Sequence, residues 1–408
     1  MRALYVSYDG MTDPLGRSQV LPYLVGLAGR GHAITLLSCE KPTRTSADDD
    51  AVQAICDRAG IDWRPIAYHK SPPILSGVRD VRALGRHAER LHREKSFDLV
   101  HCRSYMAAIV GDRLKRRHGV PFLFDMRGFW ADERIERGIW PASNPLFRAA
   151  YAYFKRLEGR FLRDADAIVT LTERARHELE SWPHGRRPNA AISVIPCCVD
   201  LALFGRQSAE QRSATRKRLG IEAAAPVMVY VGSIGGAYLA REMFQLFRLY
   251  RATRPGARFL FVSGHPRNQI ELLARENGVD SRDLAIMPAA REGVPALIAA
   301  ADIGVSFILA TYSARASCPT KFGEMLAMGV PVIANSGVGD IAEIIRETGA
   351  GAVVEDFDEK SLSAAIVDAE AAAAKPEGVR AAAERYFALD QGVDRFDAIY
   401  RAIGRQAA

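Results

Sequence analysis

The segment Ser317-Cys318-Pro319-Thr320-Lys321-Phe322-Gly323-Glu324-Met325-Leu326-Ala327-Met328-Gly329-Val330-Pro331-Val332-Ile333 places a cation and a carboxylate where they can act together. Pro319 suits the first turn of a helix, where its missing N–H costs nothing. Ser317 or Cys318 then stands at the cap, and Gly329 closes the helix before a strand at Pro331–Ala334. Lys321 falls in the first turn, where unpaired backbone N–H groups and the helix dipole favour an anion. Glu324 lies three residues on and shares its face. A cation beside a helix N-terminus suits a diphosphate, and a carboxylate one turn deeper suits a pair of sugar hydroxyls. Together they suit a nucleotide-sugar, with Pro319 and Thr320 opening the same turn. The competing reading is a surface helix carrying an i,i+3 ion pair, the commoner fate of a lone Lys/Glu pair.

Such a helix needs a scaffold, and the rest of the chain supplies one. Apolar, β-branched runs alternate with helical stretches, which predicts an α/β fold of parallel sheets with helices on both faces. Strands are expected at Ala3–Tyr8, Ala33–Ser38, Ile61–Tyr68, Asp98–Cys102, Pro121–Asp125, Ala167–Leu171 and Ile192–Ile195. A second series runs through Val227–Val231, Arg258–Ser263, Leu284–Met287, Ile303–Phe307, Pro331–Ala334 and Ala352–Val354. Cys197 to Ala225 has no strong strand and reads as a linker. The expected layout is a Rossmann-like domain at 1–200, a second at 201–388, and a helical tail at 389–408. Ligands of such sheets bind outside the carboxyl ends of the strands, so two facing domains make a cleft for a donor and an acceptor.

Two loops after first strands carry glycine: Asp9 to Gln19, with Gly16 and Arg17, and Gly232 to Tyr238, with Ser233, Gly235 and Gly236. Neither is GxGxxG, so a dehydrogenase loses support. Glycine still lets backbone approach a phosphate closely, although every tight βα turn also uses it. The stretch Asp125-Met126-Arg127-Gly128-Phe129-Trp130-Ala131-Asp132-Glu133-Arg134 is dense in polar and aromatic groups directly after a strand and reads as acceptor-side. His101 and His265 sit at strand ends, where a histidine contacts substrate or, more often, is structural. The run Asp48-Asp49-Asp50 reads as a solvated loop rather than a metal site.

Composition bounds the rest. At 408 residues the chain exceeds a single ordinary core, and 48% hydrophobic with 25% charged residues is globular usage. No apolar run reaches transmembrane length, and the N-terminus reads as a strand rather than a signal peptide. Six cysteines lack CxxC spacing, so neither zinc nor a disulfide framework is indicated, and a reduced cytoplasmic protein is expected. Residues 1–200 hold 31 Lys+Arg against 24 Asp+Glu, whereas 201–408 hold 24 of each. Within the basic half, Arg79, Arg82, Arg86, Arg90 and Arg93 recur at helical spacing, with Val78, Val81, Leu84 and Leu91 assigned to the opposite face. That face suits an anionic membrane surface, or is simply solvated. No nucleic-acid motif accompanies the charge.

With these residues in place, the chain resembles bacterial glycosyltransferases of the GT-B fold, specifically glycosyltransferase family 4, over nearly its full length. The resemblance rests on the Pro-Thr-Lys-x-x-Glu helix, on Gly329-Val330-Pro331-Val332-Ile333 and on Ala299-Ala300-Ala301-Asp302-Ile303. Val194-Ile195-Pro196-Cys197-Cys198-Val199-Asp200 is similar to the family's hinge of Ile-Pro-Asn-Gly-Val-Asp type, and Tyr8-Asp9-Gly10 with Asp13 to Gln19 is similar to a subgroup associated with polysaccharide assembly. The resemblance implies two Rossmann-like domains, with the terminal helix crossing back to the first. It also implies retaining, metal-free transfer from a nucleotide-sugar to a glycan or lipid-linked acceptor, with no cofactor and no nucleic-acid partner. By position, Glu324 would bind the donor ribose and Lys321 the diphosphate, with Gly16 at the phosphate-sugar end. Gly232, Ser233, Gly235, Gly236 and His265 complete the donor side, and Asp9, Arg17, Arg127, Trp130 and Glu133 the acceptor side. Catalysis would fall to Arg127, Lys321 and Glu324.

The sequence departs from that pattern in three places. Arg127 stands where many relatives place a histidine, and an arginine cannot serve as a base near neutral pH. Ser233 occupies the position of a usual arginine, the next cation being Arg241. Ala316 replaces the first Glu of a Glu-x7-Glu pattern. Two other functions fit the scaffold: a sugar-nucleotide epimerase or phosphorylase, and a non-catalytic nucleotide-binding assembly partner.

Overall fold

The computed structural model describes residues 1–72, 74–183 and 188–407. Each strand expected from the sequence is present: β1 Arg2–Ser7, β2 Ala33–Glu40, β3 Asp62–Ala67, β4 Leu99–Arg103, β5 Phe122–Asp125, β6 Ala167–Thr170 and β7 Ile192–Val194, then β8 Val227–Val231, β9 Arg258–Val262, β10 Leu284–Met287, β11 Ile303–Ser306, β12 Val332–Asn335 and β13 Gly351–Val354. They form a seven-stranded sheet of order β3-β2-β1-β4-β5-β6-β7 and a six-stranded sheet of order β10-β9-β8-β11-β12-β13. The pairings are parallel, and the central strands β4, β5, β8 and β11 are buried along their length, as sheets covered on both faces require. In each sheet the strand order reverses once, beside β1/β4 and β8/β11, which opens a crevice at the carboxyl ends of those strands.

The chain divides into two compact units, Met1–Pro196 with Leu389–Ala408, and Cys197–Ala388. The segment expected to be a linker belongs to the second unit. Val199 N–H donates to the Phe387 carbonyl at 2.7 Å, Phe204 is fully buried, and Arg212 and Arg216 of the helix Ala209–Arg218 both pair with Asp302. Its lack of a strand concealed this, because the segment is held by side chains and not by a ladder. The last helix, Leu389–Ala407, lies on the helix Leu21–Gly29 of the first unit. An added Cβ at Gly26 would stand 2.6 Å from Val393, and Phe396 packs edge-on against Tyr23 at 5.7 Å.

Four local expectations need correction. Pro319 is the N-cap of the helix Thr320–Ala327, extended at ψ 112°, so the helix begins one residue later than expected and no side chain caps it. The loop Asp9–Gln19 contains a helix, Pro14–Gln19. Asp48 and Asp49 are not loop residues: they lie in the first turn of the helix Ser46–Ala59, with Asp48 closing a capping box on Thr45. Val78 is exposed beside the arginines rather than opposite them.

Candidate active site

In the second unit the loops past β8 and β11 are knitted together. Leu309 N–H donates to the Ala237 carbonyl at 2.7 Å, and Leu239 N–H to the Phe307 carbonyl at 3.1 Å. Asn335, ending β12, clamps Ile308 by accepting from its N–H at 2.8 Å and donating to its carbonyl at 2.9 Å. Gly235 and Gly236 take φ of 90° and 65°, conformations that side chains rarely tolerate. His265 braces this loop, its Nε2 lying 2.6 Å from the Ile234 carbonyl oxygen. Tyr230 holds it from below by donating to the Ser233 carbonyl.

The helix Thr320–Ala327 is pressed against β11 at Gly304, where an added Cβ would meet Met325 Sδ at 2.5 Å. Phe322, Met325 and Leu326 enter the core, which turns Lys321 and Glu324 along one edge. The i,i+3 pair forms, with Lys321 Nζ 2.8 Å from Glu324 Oε2, but it is no ordinary surface pair. Glu324 is fully buried, and its Oε1 meets Arg291 Nη1 at 3.3 Å. Arg291 lies in the short turn Arg291–Gly293 past β10, with its guanidinium 5.5 Å from the Phe204 ring centre. Two cations therefore share one carboxylate, leaving a surplus positive charge beside the unpaired amides of a helix N-terminus. Lys321, whose side chain is 37% exposed, is the member free to turn toward an incoming anion. Sequence reasoning missed Arg291, whose one signal was its position just past a strand end. Arg241, the alternative cation, is exposed in the first turn of the helix Ala240–Thr253.

In the first unit, charge collects at the carboxyl ends of β4 and β5. Asp125 Oδ2 faces His101 Nε2 at 3.7 Å and Arg103 Nη1 at 3.9 Å, and its Oδ1 faces Arg127 Nη1 at 3.7 Å. Burial pushes the Asp125 carboxyl up, but Arg127, His101 and Arg103 outweigh it and hold the group below the usual carboxylate range. Burial pulls His101 below its ordinary value, with Asp125 offsetting part of the effect. His101 is sealed by Tyr5 and Phe396 and lies 2.9 Å from the Tyr400 hydroxyl, so it is a core histidine rather than a substrate contact. Arg127 has φ 59°, a costly conformation for a non-glycine residue, and the turn returns its guanidinium to Asp125.

The loop past β1 is anchored by a second buried carboxylate. Glu40 accepts from Met11 N–H at 2.7 Å, from the Thr12 hydroxyl at 2.8 Å and from Ser38 at 2.6 Å. A Cβ at Gly16 would fall 2.2 Å from the Gly10 carbonyl oxygen, so only glycine fits where this short helix folds onto the loop. Of the expected acceptor-side residues, Asp9 pairs with Arg103 at 3.3 Å, Arg17 with Asp48 at 3.5 Å and Glu133 with Arg137 at 2.8 Å. Trp130 stacks on Tyr105 and carries Arg134 over its ring. Among the described residues, no group of three or more His, Cys, Asp or Glu side chains is arranged to hold a metal ion.

Comparison with known proteins places this geometry. Residues 17–198 match the family described as "Glycosyl transferase 4-like domain", and residues 225–370 match "Glycosyl transferases group 1". A protein of Kineococcus radiotolerans named D-inositol 3-phosphate glycosyltransferase is 29% identical over 301 residues, 69% of this chain and 65% of the relative, so the match spans just under two thirds of that protein. The structure superposes on sucrose-phosphate synthase from Thermosynechococcus elongatus with a TM-score of 0.70 at 17% identity, covering 100% of both chains. It also matches Anabaena Alr3699/HepE, solved with UDP and glucose, with a TM-score of 0.68 at 14% identity over 98% of this chain and 100% of that one. The two reversing parallel sheets, the returning terminal helix and both family matches agree: the chain belongs to the GT-B glycosyltransferases of the family 4 type.

Proposed function

We propose that the protein is a retaining glycosyltransferase that moves a sugar from a nucleotide-sugar to a glycan or lipid-linked acceptor in bacterial envelope or polysaccharide assembly. The observation that carries this reading is Glu324, buried between Lys321 and Arg291 one turn into the helix Thr320–Ala327. A relative named for glycosyl transfer and a structural neighbour solved with UDP-glucose support it.

The reaction breaks the anomeric C–O bond, and the departing nucleoside diphosphate takes the electron pair. Positive charge grows on the sugar and negative charge on the phosphate. Lys321 and the helix amides are the groups of the second unit to meet that anion, and Arg127 is the cation the first unit offers to the reaction. The acceptor hydroxyl attacks from the same face and passes its proton to the leaving phosphate oxygen, so no protein base is needed. That suits Arg127, which stays protonated. Glu324 holds Lys321 and Arg291 in register and offers its remaining lone pairs to the ribose.

A panel of nucleotide-sugars, read by thermal shift and by product, tests the donor class. Lys321→Ala should lower turnover by about a hundredfold while sparing binding of the free nucleoside, since the charge it meets grows in the transition state. Equal loss of both would move Lys321 to a base or ribose contact. A chelator should leave the rate unchanged, and strict dependence on a divalent ion would overturn the metal-free mechanism.

The first unit supports a place of work at a membrane surface. Arg79, Arg82, Arg86, Arg90 and Arg93 are exposed along the helix Leu75–Lys95, and Leu75 and Val78 are exposed at its start. A basic face ending in apolar side chains suits peripheral attachment to the cytoplasmic leaflet, each basic group contributing about 1 kcal/mol near an anionic surface. Sedimentation with anionic vesicles should fall steeply as salt rises. Equal recovery in the supernatant with neutral and anionic vesicles at low salt would leave this face as solvated surface.

A further inference from the structure

Among the described residues Arg134 is a cation without a counter-charge. Among the described residues its guanidinium makes no hydrogen bond and no ion pair, and its Nε is shut off from solvent without a partner. The carboxylates whose fields reach it are engaged elsewhere, Glu133 with Arg137 at 2.8 Å and Asp9 with Arg103 at 3.3 Å. Burial accordingly holds the group below the usual arginine value, those carboxylates offsetting only part of the effect.

What fixes the side chain is aromatic. The guanidinium lies 4.0 Å from the Trp130 ring centre and 5.6 Å from that of Trp140. Trp130 is itself wedged against Tyr105 at 5.7 Å and Phe154 at 4.8 Å, so the platform is rigid. Stacking of this kind orients the planar fork and leaves its Nη donors free. A partly desolvated guanidinium held on a fixed aromatic shelf is the donor of an anion site.

We propose that Arg134, fixed on the Trp130 ring, binds an anionic group, phosphate or carboxylate, carried by the acceptor. The assignment rests on the transferase reading and narrows the acceptor to a negatively charged one.

The test uses inorganic phosphate and acetate as probes, at constant ionic strength, with tryptophan fluorescence as the readout. Wild type and Lys321→Ala should both respond saturably to one of the two anions. Arg134→Gln should bind that anion about tenfold to a hundredfold more weakly, the range for a lost charge-assisted pair. Saturation by phosphate alone assigns a phosphorylated acceptor, and by acetate alone a carboxylated one. Should Arg134→Gln fail to fold, Arg134→Lys keeps the charge but loses the fork, and weaker binding is again expected. No saturable response in wild type, or equal affinity in the Arg134 variants, overturns the proposal. Nucleotide-sugar binding is measured in the same proteins: its absence in wild type defeats the transferase reading, and its persistence in Arg134→Gln separates the two.

Discussion

Glu324→Ala should nearly abolish donor binding and destabilise the second unit together. Removing a carboxylate from between Lys321 and Arg291 leaves two cations facing each other, with Arg291 mostly out of water. Breaking a buried pair in this way costs about 3–5 kcal/mol, chiefly because the surviving charge has lost its solvation without compensation. Loss of the proposed ribose contact adds about 1.5–3 kcal/mol to the free energy of donor binding. Chemical denaturation reads the first quantity and calorimetry with the nucleotide-sugar reads the second. Glu324→Gln keeps the volume and an acceptor oxygen, so it should recover part of the stability but little of the affinity. A variant that melts with wild type and binds donor normally would show that the buried carboxylate serves neither purpose.

Asp125→Ala is expected to have a comparable effect on the first unit. Asp125 is the carboxylate shared by Arg127, Arg103 and His101, and Arg103 is only 4% exposed. Its removal leaves two arginines in one buried site, again worth about 3–5 kcal/mol. Activity should fall further than folding accounts for, because Arg127, held in a left-handed turn, loses an ion-pair partner there. Asp125→Asn gives the pH signature. A carboxyl whose folded pKa lies below its unfolded value contributes stability that is present above about 4 and lost as pH falls toward the folded value. Wild type should therefore lose more stability than Asp125→Asn over that acidic window. Parallel curves for the two proteins would mean that Asp125 does not carry the arginines' charge.

The segment past β5 illustrates where sequence reading stops. The stretch Asp125–Arg134 stands out by composition, and it does follow β5 directly. Yet its charged members have different duties. Asp125 balances the buried cluster, Glu133 is taken by Arg137, and Arg134 is left open on Trp130. Periodicity cannot separate these roles, since all three are polar residues within ten positions of one another. His101 and His265 stood at strand ends on equal terms. The first is sealed by aromatic rings, the last helix among them, and the second braces a glycine loop.

By itself the sequence determined the order and type of the elements, because strand and helix periodicities are local and burial on both faces writes continuous apolar runs. It also determined that Lys321 and Glu324 share a helix face, a consequence of 3.6 residues per turn. Only the tertiary structure decided what that pair is for. Arg291 reaches Glu324 across 33 residues, Arg103 reaches Asp9 across 94, and Tyr400 meets His101 across 299. Such contacts are made by parallel strands returning to one edge and by a terminal helix folding back, and no local pattern in the chain records which side chains then meet. Burial converts those meetings into energy: the Lys/Glu spacing common on surface helices is here built around a fully buried carboxylate.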